Sequence, residues 1–347
     1  MSFEYNINSG RQEWIDILKG LAILLVVVGH MPYTESTIPI KHFIYSFHMP
    51  LFFSLAGCTA AISYNKSKSV SDFFKRRCIS VFLPYIIWCF LYDRLFPTSR
   101  TQFLNYDFNE HFHSFLSGGA TWFLITLFLL QLYYIFYIIL SSPFKSRILQ
   151  IVISCCLFLL SFGAHRLIGQ TSYEMTNPIY FITTAYVYFI PFSLGVIIAT
   201  YPSVFKFILS SKWFITICVC IFLVLPTMKA DIPFGGNYTK IIIGVATTCV
   251  LIKLLFDFTK KNPLKKSGFV GSCIFSYLSV FGKYSLGIYL LSSLFLPNTA
   301  LAGYSISLTS ILYILFSTII CMACVTLEKI VCTSPIMALL LFGKKIK

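Results

Sequence analysis

Ten apolar runs joined by short polar connections dominate this sequence. They cover roughly residues 14–32, 39–62, 78–96, 120–140, 148–164, 179–200, 213–228, 238–256, 280–297 and 305–327. A helix needs about 20 apolar residues to cross a bilayer, and most of these runs approach that length. Only 11% of the 347 residues are charged, whereas soluble domains carry about 25% charge. We therefore predict an all-α, polytopic membrane helical bundle of about ten transmembrane helices, with the lipid bilayer as its first partner.

The distribution of Lys and Arg predicts the orientation of the chain. With the N-terminus inside, 18 of the 27 basic residues fall in inner segments and three in outer ones. Basic residues concentrate on the cytoplasmic side of membrane proteins, so we expect both termini in the cytoplasm. The predicted parts are a short N-terminal segment (1–13), a transmembrane domain (14–327) and a basic C-terminal tail (328–347). Because inner loops account for the net charge of +15, we predict no nucleic-acid partner.

Three polar residues share one face of the first apolar run. Lys19 and His30 are eleven residues apart, which is 20° past three helical turns and about 16 Å along the axis. Asp16 lies one turn before Lys19 on nearly the same face. Snorkelling or an interfacial position would explain one such residue. A carboxylate, an amine and an imidazole in line indicate instead a polar pathway inside the bundle.

Histidines mark two further places. His48, in "YSFHMPLFFSLAG" (45–57), lies near mid-depth beside Pro50. It is a candidate site residue, with a satisfied core histidine as the alternative. His111 and His113 in "NEHFHSF" have a spacing that a metal site can use, but a short polar loop is usually solvated. We predict no metal and no prosthetic group.

Two other stretches carry candidate groups for a ligand. In "FFKRRCISVFLPY" (73–85), Lys75, Arg76 and Arg77 stand at the inner mouth of the third run. They either act as an orientation signal or hold phosphate groups, which the guanidinium fork matches. In "FGKYSLGIYLL" (281–291), Ser285 and Tyr289 are four residues apart and share a helix face.

Together, in this order, the four stretches resemble the acyltransferase-3 family of integral-membrane acyltransferases, which includes bacterial O-acetyltransferases of surface polysaccharides. The resemblance covers essentially the whole chain. It rests on Lys19 and His30, on "FHMPLFF" (47–53) before a small-residue turn, on "WFL" (122–124), and on the S-x-x-x-Y formed by Ser285 and Tyr289.

The chain departs from the family pattern at two positions. Many members carry R-x-x-R before a Pro-Tyr pair, and here Arg77 fits the first position while Ser80 replaces the second arginine. A histidine is also common after the late "YL" run, where this chain has Ser292. The first departure bears on the donor site, and neither changes the pair formed by Lys19 and His30.

The resemblance implies transfer of an acetyl or other short acyl group from coenzyme A in the cytoplasm to a sugar hydroxyl. The expected acceptor is a cell-envelope polysaccharide or its lipid-linked precursor, and the expected location is the bacterial cytoplasmic membrane. Acetyl-CoA is then the donor substrate.

The candidate residues receive roles on this basis. Arg77, with Lys75 and Arg76, is expected to hold the coenzyme A phosphates, and Ser285 and Tyr289 to line the path of its pantetheine arm. His30 is expected to act as general base or to carry the acyl group, as suits its pKa. Lys19, paired with Asp16, would orient the site or stabilise negative charge. His48 would position the acceptor or relay a proton.

Three alternatives compete with this interpretation. A proton-coupled transporter of a small polar solute would also place ionisable residues on interior faces, and it predicts repeat symmetry and paired broken helices. Another acyltransferase fold would carry its reactive histidine in a late helix, but no histidine follows His165. A non-catalytic membrane scaffold would have no need for the aligned Lys19 and His30.

Overall fold

The structure is a computed structural model that describes residues 12–35, 38–95, 115, 119–144, 146–169, 180–224, 236–261, 269–301 and 304–344. Helices make up its regular elements, and these described residues contain no strand. The α-helices are α1 (Glu13–Gly29), α2 (Ile38–Asn65), α3 (Val70–Arg77), α4 (Leu83–Leu95), α5 (Trp122–Ser141), α6 (Arg147–Gly169), α7 (Tyr180–Thr200), α8 (Pro202–Ser210), α9 (Lys212–Val224), α10 (Gly236–Lys261), α11 (Phe269–Lys283), α12 (Ser285–Leu291), α13 (Ile306–Val331) and α14 (Pro335–Phe342).

The apolar runs form helices, which confirms the prediction of an all-α, polytopic membrane protein. Within the described residues, five elements are long and apolar enough to span a membrane by themselves: Ile38–Asn65, Gly119–Ser141, Ile148–Arg166, Ile241–Phe258 and Ile306–Val331. Two bent helix pairs raise the number to seven if each pair is one span. The remaining predicted spans, the first, third and seventh, contain helices of 17, 13 and 13 residues.

The two bent pairs are where the structure differs most from the predicted boundaries. The segment Thr184–Thr200 turns by 106° into α8, which occupies a stretch that the sequence predicts as an inner loop. The segment Cys273–Lys283 turns by 72° into Ser285–Leu294, so the break at Tyr284 divides the predicted ninth span. Bending inside a span leaves backbone groups unpaired, which is tolerated only where protein or water surrounds them.

Met1–Ile62 and Pro191–Ile330 form one compact unit, and its first helix lies in backbone contact with α11. A Cβ atom at Gly20 would stand 1.8 Å from the carbonyl oxygen of Leu278, and one at Gly282 would stand 1.8 Å from that of Asp16. The residue numbers run in opposite directions, so α1 and α11 are antiparallel. Glycine at both positions permits this approach, as small residues do between membrane helices.

Ser63–Ile190 and Val331–Lys347 form the other compact unit. Here α3 continues into α4 through a π-helical turn, Cys78–Phe82. Inside the predicted C-terminal tail, α14 packs on this turn and on α4. The Trp88 indole donates a 2.8 Å hydrogen bond to the carbonyl of Leu341. Gly343 ends α14 with φ +60°, where a Cβ atom would lie 2.4 Å from the carbonyl oxygen of Ile79.

Candidate active site

His30 is exposed and follows directly on the last residue of α1. The carbonyls at a helix end have no partner within the helix. Tyrosine hydroxyls satisfy three carbonyls of the segment that carries His30. These bonds run from Tyr33 to Val28 (2.7 Å), from Tyr45 to Gly29 (2.9 Å) and from Tyr313 to Pro32. The backbone on both sides of His30 is therefore fixed, while its imidazole remains accessible.

Tyr45 is a neighbour of both candidate histidines. Its ring centroid is 6.3 Å from that of His30 and 5.0 Å from that of His48. His48 is buried, and its Nδ1 lies 2.7 Å from the carbonyl oxygen of Ile44. A carbonyl oxygen only accepts, so Nδ1 carries a proton, and in the neutral ring the lone pair is on Nε2. The structure thus brings His30 and His48 to the same end of α1, as neighbours of one tyrosine.

Lys19 lies at the other end of α1 and away from His30. Its half-buried ammonium is 3.4 Å from the Thr59 hydroxyl of α2. The spacing of eleven residues from Lys19 to His30 separates them by about 16 Å, which is farther than a lysine side chain reaches. Asp16 is buried at this same end, where its backbone meets Gly282. The predicted alignment on one face does not place Lys19 beside the imidazole.

The pair formed by Ser285 and Tyr289 lies in α12, just after the break at Tyr284. Both residues are half-buried, and α12 packs against α1. Because Gly282 meets the backbone of Asp16, α12 begins near the Asp16 end of α1. Ser285 is therefore grouped with Lys19 and Asp16 rather than with His30.

Sequence reasoning missed a buried carboxylate beside this helix. Glu328, at the border of the predicted tail, is fully buried in α13. Its carboxylate fills the space that a Cβ atom at Gly287 of α12 would need. Lys329, the next residue, places its ammonium 5.6 Å from the centroid of the Tyr284 ring. A lone acid at the end of an apolar run was the available signal, because a buried carboxylate in a membrane needs a reason.

The predicted basic cluster divides into one half-buried and two exposed side chains. Arg77 donates a 2.8 Å hydrogen bond to Ser63 and lies 5.1 Å from the centroid of the Phe73 ring. Its Nε is buried and has no hydrogen-bond partner within the described part of the chain. Lys75 and Arg76 are exposed. Arg77 is the first residue before the π-helical turn.

An acidic neighbour holds Arg76. The Arg76 guanidinium lies 3.0 Å from the Asp72 carboxylate, which also accepts a 3.1 Å bond from the backbone N–H of Lys68. The hydrogen bond from Arg76, followed by that from Lys68, lowers the pKa of Asp72. Asp72 therefore stays ionised near neutral pH and competes with any anion for Arg76.

Lys41 is a second residue that sequence reasoning missed. Its ammonium lies 5.4 Å from the centroid of the Tyr45 ring and 5.8 Å from that of Tyr33. Lys41, Tyr45 and His48 are spaced by four and three residues, so they share one face of α2. That spacing was the available signal. It was not sufficient alone, because only tertiary structure shows that this face meets the end of α1.

Comparison with known proteins supplies one match. A family model described as an acyltransferase domain matches residues 12–327. This range includes all the predicted site residues on α1, α2, α3 and α12. The searches of curated proteins and of solved structures each find no match. His111 and His113 lie outside the described residues, so their predicted lack of a metal stays a prediction.

Proposed function

Because this chain belongs to the acyltransferase-3 family and is an integral-membrane acyltransferase, we propose that it is an O-acetyltransferase. In this proposal it moves an acetyl group from cytoplasmic acetyl-CoA to a hydroxyl of a cell-envelope polysaccharide or of its lipid-linked precursor. The proposed location is the bacterial cytoplasmic membrane.

One observation carries the proposal: the exposed imidazole of His30 on a backbone held by tyrosine hydroxyls. A general base needs a defined position and access to the hydroxyl that it deprotonates. The hydrogen bond from Tyr45 to Gly29 fixes the residue before His30. His48, whose Nδ1 proton is held by the carbonyl of Ile44, is proposed as a second imidazole for proton transfer at the same end of α1.

The proposed reaction balances without a further reagent. The acceptor hydroxyl gives its proton to His30 while its oxygen bonds to the thioester carbonyl carbon. The carbon–sulfur bond then breaks, and the coenzyme A thiolate takes up the proton from the imidazolium. The products are an acetyl ester and free coenzyme A. His48 is proposed to exchange protons near Tyr45 or to hold the acceptor.

The other end of α1 suits the donor. Lys19, Asp16 and the start of α12 are grouped there, and predicted orientation assigns this end to the cytoplasmic side. In the proposal Lys19 orients the thioester arm, and Ser285 and Tyr289 line its path. In the proposal the guanidinium of Arg77 binds a phosphate oxygen, and Lys75 and Arg76 add positive charge. The long flexible arm of coenzyme A would span the separation between Lys19 and His30.

A proton-coupled transporter is the second candidate, and the two bent helix pairs favour it. Transporters place their sites at such breaks. The match to an acyltransferase family over residues 12–327 favours the enzyme. The two candidates differ in a simple respect, because only the enzyme breaks a thioester.

The test is thiol release from acetyl-CoA by the purified protein, compared with a His30→Ala variant of equal yield. His42→Ala is the matched control, since His42 is an exposed histidine of α2. We expect thiol release in the wild type and in the control, with a loss of at least about 100-fold in His30→Ala. Turnover that survives in His30→Ala moves the reactive centre elsewhere, with His48 next to test. The absence of turnover and of coenzyme A binding, even with acceptor glycan present, would favour the transporter.

A further inference from the structure

Lys41 is a cation at the His30 end of α1. Its ammonium contacts the faces of the Tyr33 and Tyr45 rings. Both tyrosines hydrogen-bond to the carbonyls just before His30. Through these two rings, Lys41 is therefore placed beside the short segment that carries His30. A cation over an aromatic face is attracted by the ring quadrupole, which fixes the ammonium in place.

The charge of Lys41 has no carboxylate to neutralise it among the described residues. No ion pair joins it to Glu35, the acidic residue in the connection between α1 and α2. Glu13 and Asp16, the two carboxylates on α1, lie in its first turn, at the opposite end of that helix. Under the predicted orientation Lys41 stands at the outer edge of the second span, against the usual bias of basic residues towards the cytoplasm. A half-buried cation at this position, without a carboxylate partner in the described part of the chain, is suited to bind a negatively charged group.

Tyr45 is a common neighbour of Lys41 and of both imidazoles. The Lys41 ammonium lies 5.4 Å from the centroid of the Tyr45 ring, and the ring centroids of His30 and His48 lie 6.3 and 5.0 Å from it. A group that stabilises a developing oxyanion must lie about 3 Å from the reacting atom. The faces of the Tyr33 and Tyr45 rings hold the Lys41 ammonium, which suits a different task, namely to bind a fixed charge elsewhere on the acceptor.

The geometry points to Lys41 as a specificity residue that binds an anionic group of the acceptor, which makes the acceptor an acidic saccharide. This inference rests on the proposed function and names the substrate class of the same site. A carboxylate on a uronic acid and a phosphate on a sugar present the same chemistry to a lysine, which acts as a point charge. Lys41 is a positioning residue, and His30 remains the base.

The experiment measures binding and transfer separately. Three probes are used with the purified full chain: 4-nitrophenyl glucuronide, glucose 1-phosphate and 4-nitrophenyl glucoside, which carry a carboxylate, a phosphate and no charge. The variants are Lys41→Met, which keeps the apolar stem, and Lys41→Arg, which keeps the charge. Lys212→Met is the control, because Lys212 is an exposed lysine of α9. Dissociation constants come from calorimetry, and KM and kcat from transfer of labelled acetyl.

We expect the wild type to bind at least one anionic probe about tenfold more tightly than the glucoside, which corresponds to one close charge pair. Lys41→Met should lose this preference and leave glucoside binding unchanged, while Lys41→Arg and Lys212→Met retain it. Which anionic probe is preferred distinguishes a uronic acid from a sugar phosphate.

Two results overturn the inference. One is equal binding, or no binding, of charged and neutral probes by the wild type. The other is a preference that persists in Lys41→Met. In the transfer assay the effect should appear in KM for the anionic probe, with kcat nearly unchanged. Binding that follows this pattern without any acetyl transfer would contradict the proposed function but leave the anion site standing.

Discussion

The hydroxyl of Tyr45 donates a 2.9 Å hydrogen bond to the carbonyl oxygen of Gly29, the residue that precedes His30. We predict that Tyr45→Phe lowers the transfer rate about tenfold, because a base that loses its support loses its alignment with the substrate. The ring and its contacts with His30 and His48 remain in this variant. The free energy of unfolding should fall by only about 1 kcal/mol, the usual contribution of one hydrogen bond. The measurements are kcat and a thermal unfolding curve in detergent.

Tyr277→Phe is the control for this prediction. Tyr277 is exposed on α11, so removal of its hydroxyl should change neither quantity. A Tyr45→Phe variant with full activity and normal stability would show that the position of His30 does not depend on this bond.

The tautomer of His48 gives the second prediction. His48→Asn keeps a side-chain N–H that can reach the carbonyl of Ile44, now bound at 2.7 Å, but it has nothing in the place of Nε2. We expect near-normal stability with a loss of about 100-fold in kcat, if His48 relays a proton. His48→Ala should lose stability as well, because it leaves a cavity in a buried site. Comparable activity of His48→Asn and wild type would limit His48 to a structural role.

The contact between α1 and α11 gives the third prediction. Gly20→Ala and Gly282→Ala each place a Cβ atom 1.8 Å from a backbone carbonyl oxygen. We expect each to destabilise the protein by about 1–3 kcal/mol or more, because two helix backbones must separate.

Gly163→Ala is the control, because its new Cβ atom meets no atom within 4 Å. That variant, inside α6, should gain about 0.5–1 kcal/mol from lower chain entropy in the unfolded state. Thermal unfolding of all three in the same detergent decides the order, and equal stabilities would contradict the close contact.

Most of the fold was predictable because a bilayer requires long apolar helices, and the runs of the sequence show them directly. The break at Tyr284 was not predictable, because the apolar run from 280 to 297 continues through it. The break at Tyr201 had a local signal, since Pro202 follows it and the predicted run ends at residue 200. The helix that begins at Pro202 was not predicted. Neighbouring helices decide where such a span bends, and a single sequence does not show them. The helix Pro335–Phe342 follows the last long apolar run and is too short to register as a span.

The candidate site was predictable in part. Periodicity alone placed Asp16, Lys19 and His30 on one face, and in the structure Asp16 and Lys19 lie in α1 while His30 directly follows its last residue. The spacing in the sequence already separated Lys19 from His30 by about 16 Å, so the shared face was not expected to form one cluster. Tyr45 and Lys41 lie on α2 and become relevant only through the packing of α2 on α1. Contacts between helices far apart in sequence carry this information, so a helical repeat does not contain it.

The fourth prediction concerns the ion pair between Asp72 and Arg76, which are 3.0 Å apart. Asp72→Asn keeps an oxygen for the backbone N–H of Lys68 but removes the charge that holds Arg76. If Arg76 binds coenzyme A phosphate, this variant should bind acetyl-CoA about twofold more tightly at neutral pH, a modest effect because surface ion pairs are weak.

The effect has a defined pH dependence. Since its hydrogen-bond partners lower the pKa of Asp72, the carboxylate is ionised at neutral pH and becomes neutral only as the pH falls through that lowered pKa. The difference in acetyl-CoA affinity between variant and wild type should therefore be largest at neutral pH and shrink at acidic pH.

The matched control is Asp257→Asn, which breaks the same type of pair with Lys253 at 3.0 Å in α10 and should leave the affinity for acetyl-CoA unchanged. Weaker acetyl-CoA binding by Asp72→Asn, or an equal change in both variants, would argue against Arg76 as a phosphate ligand.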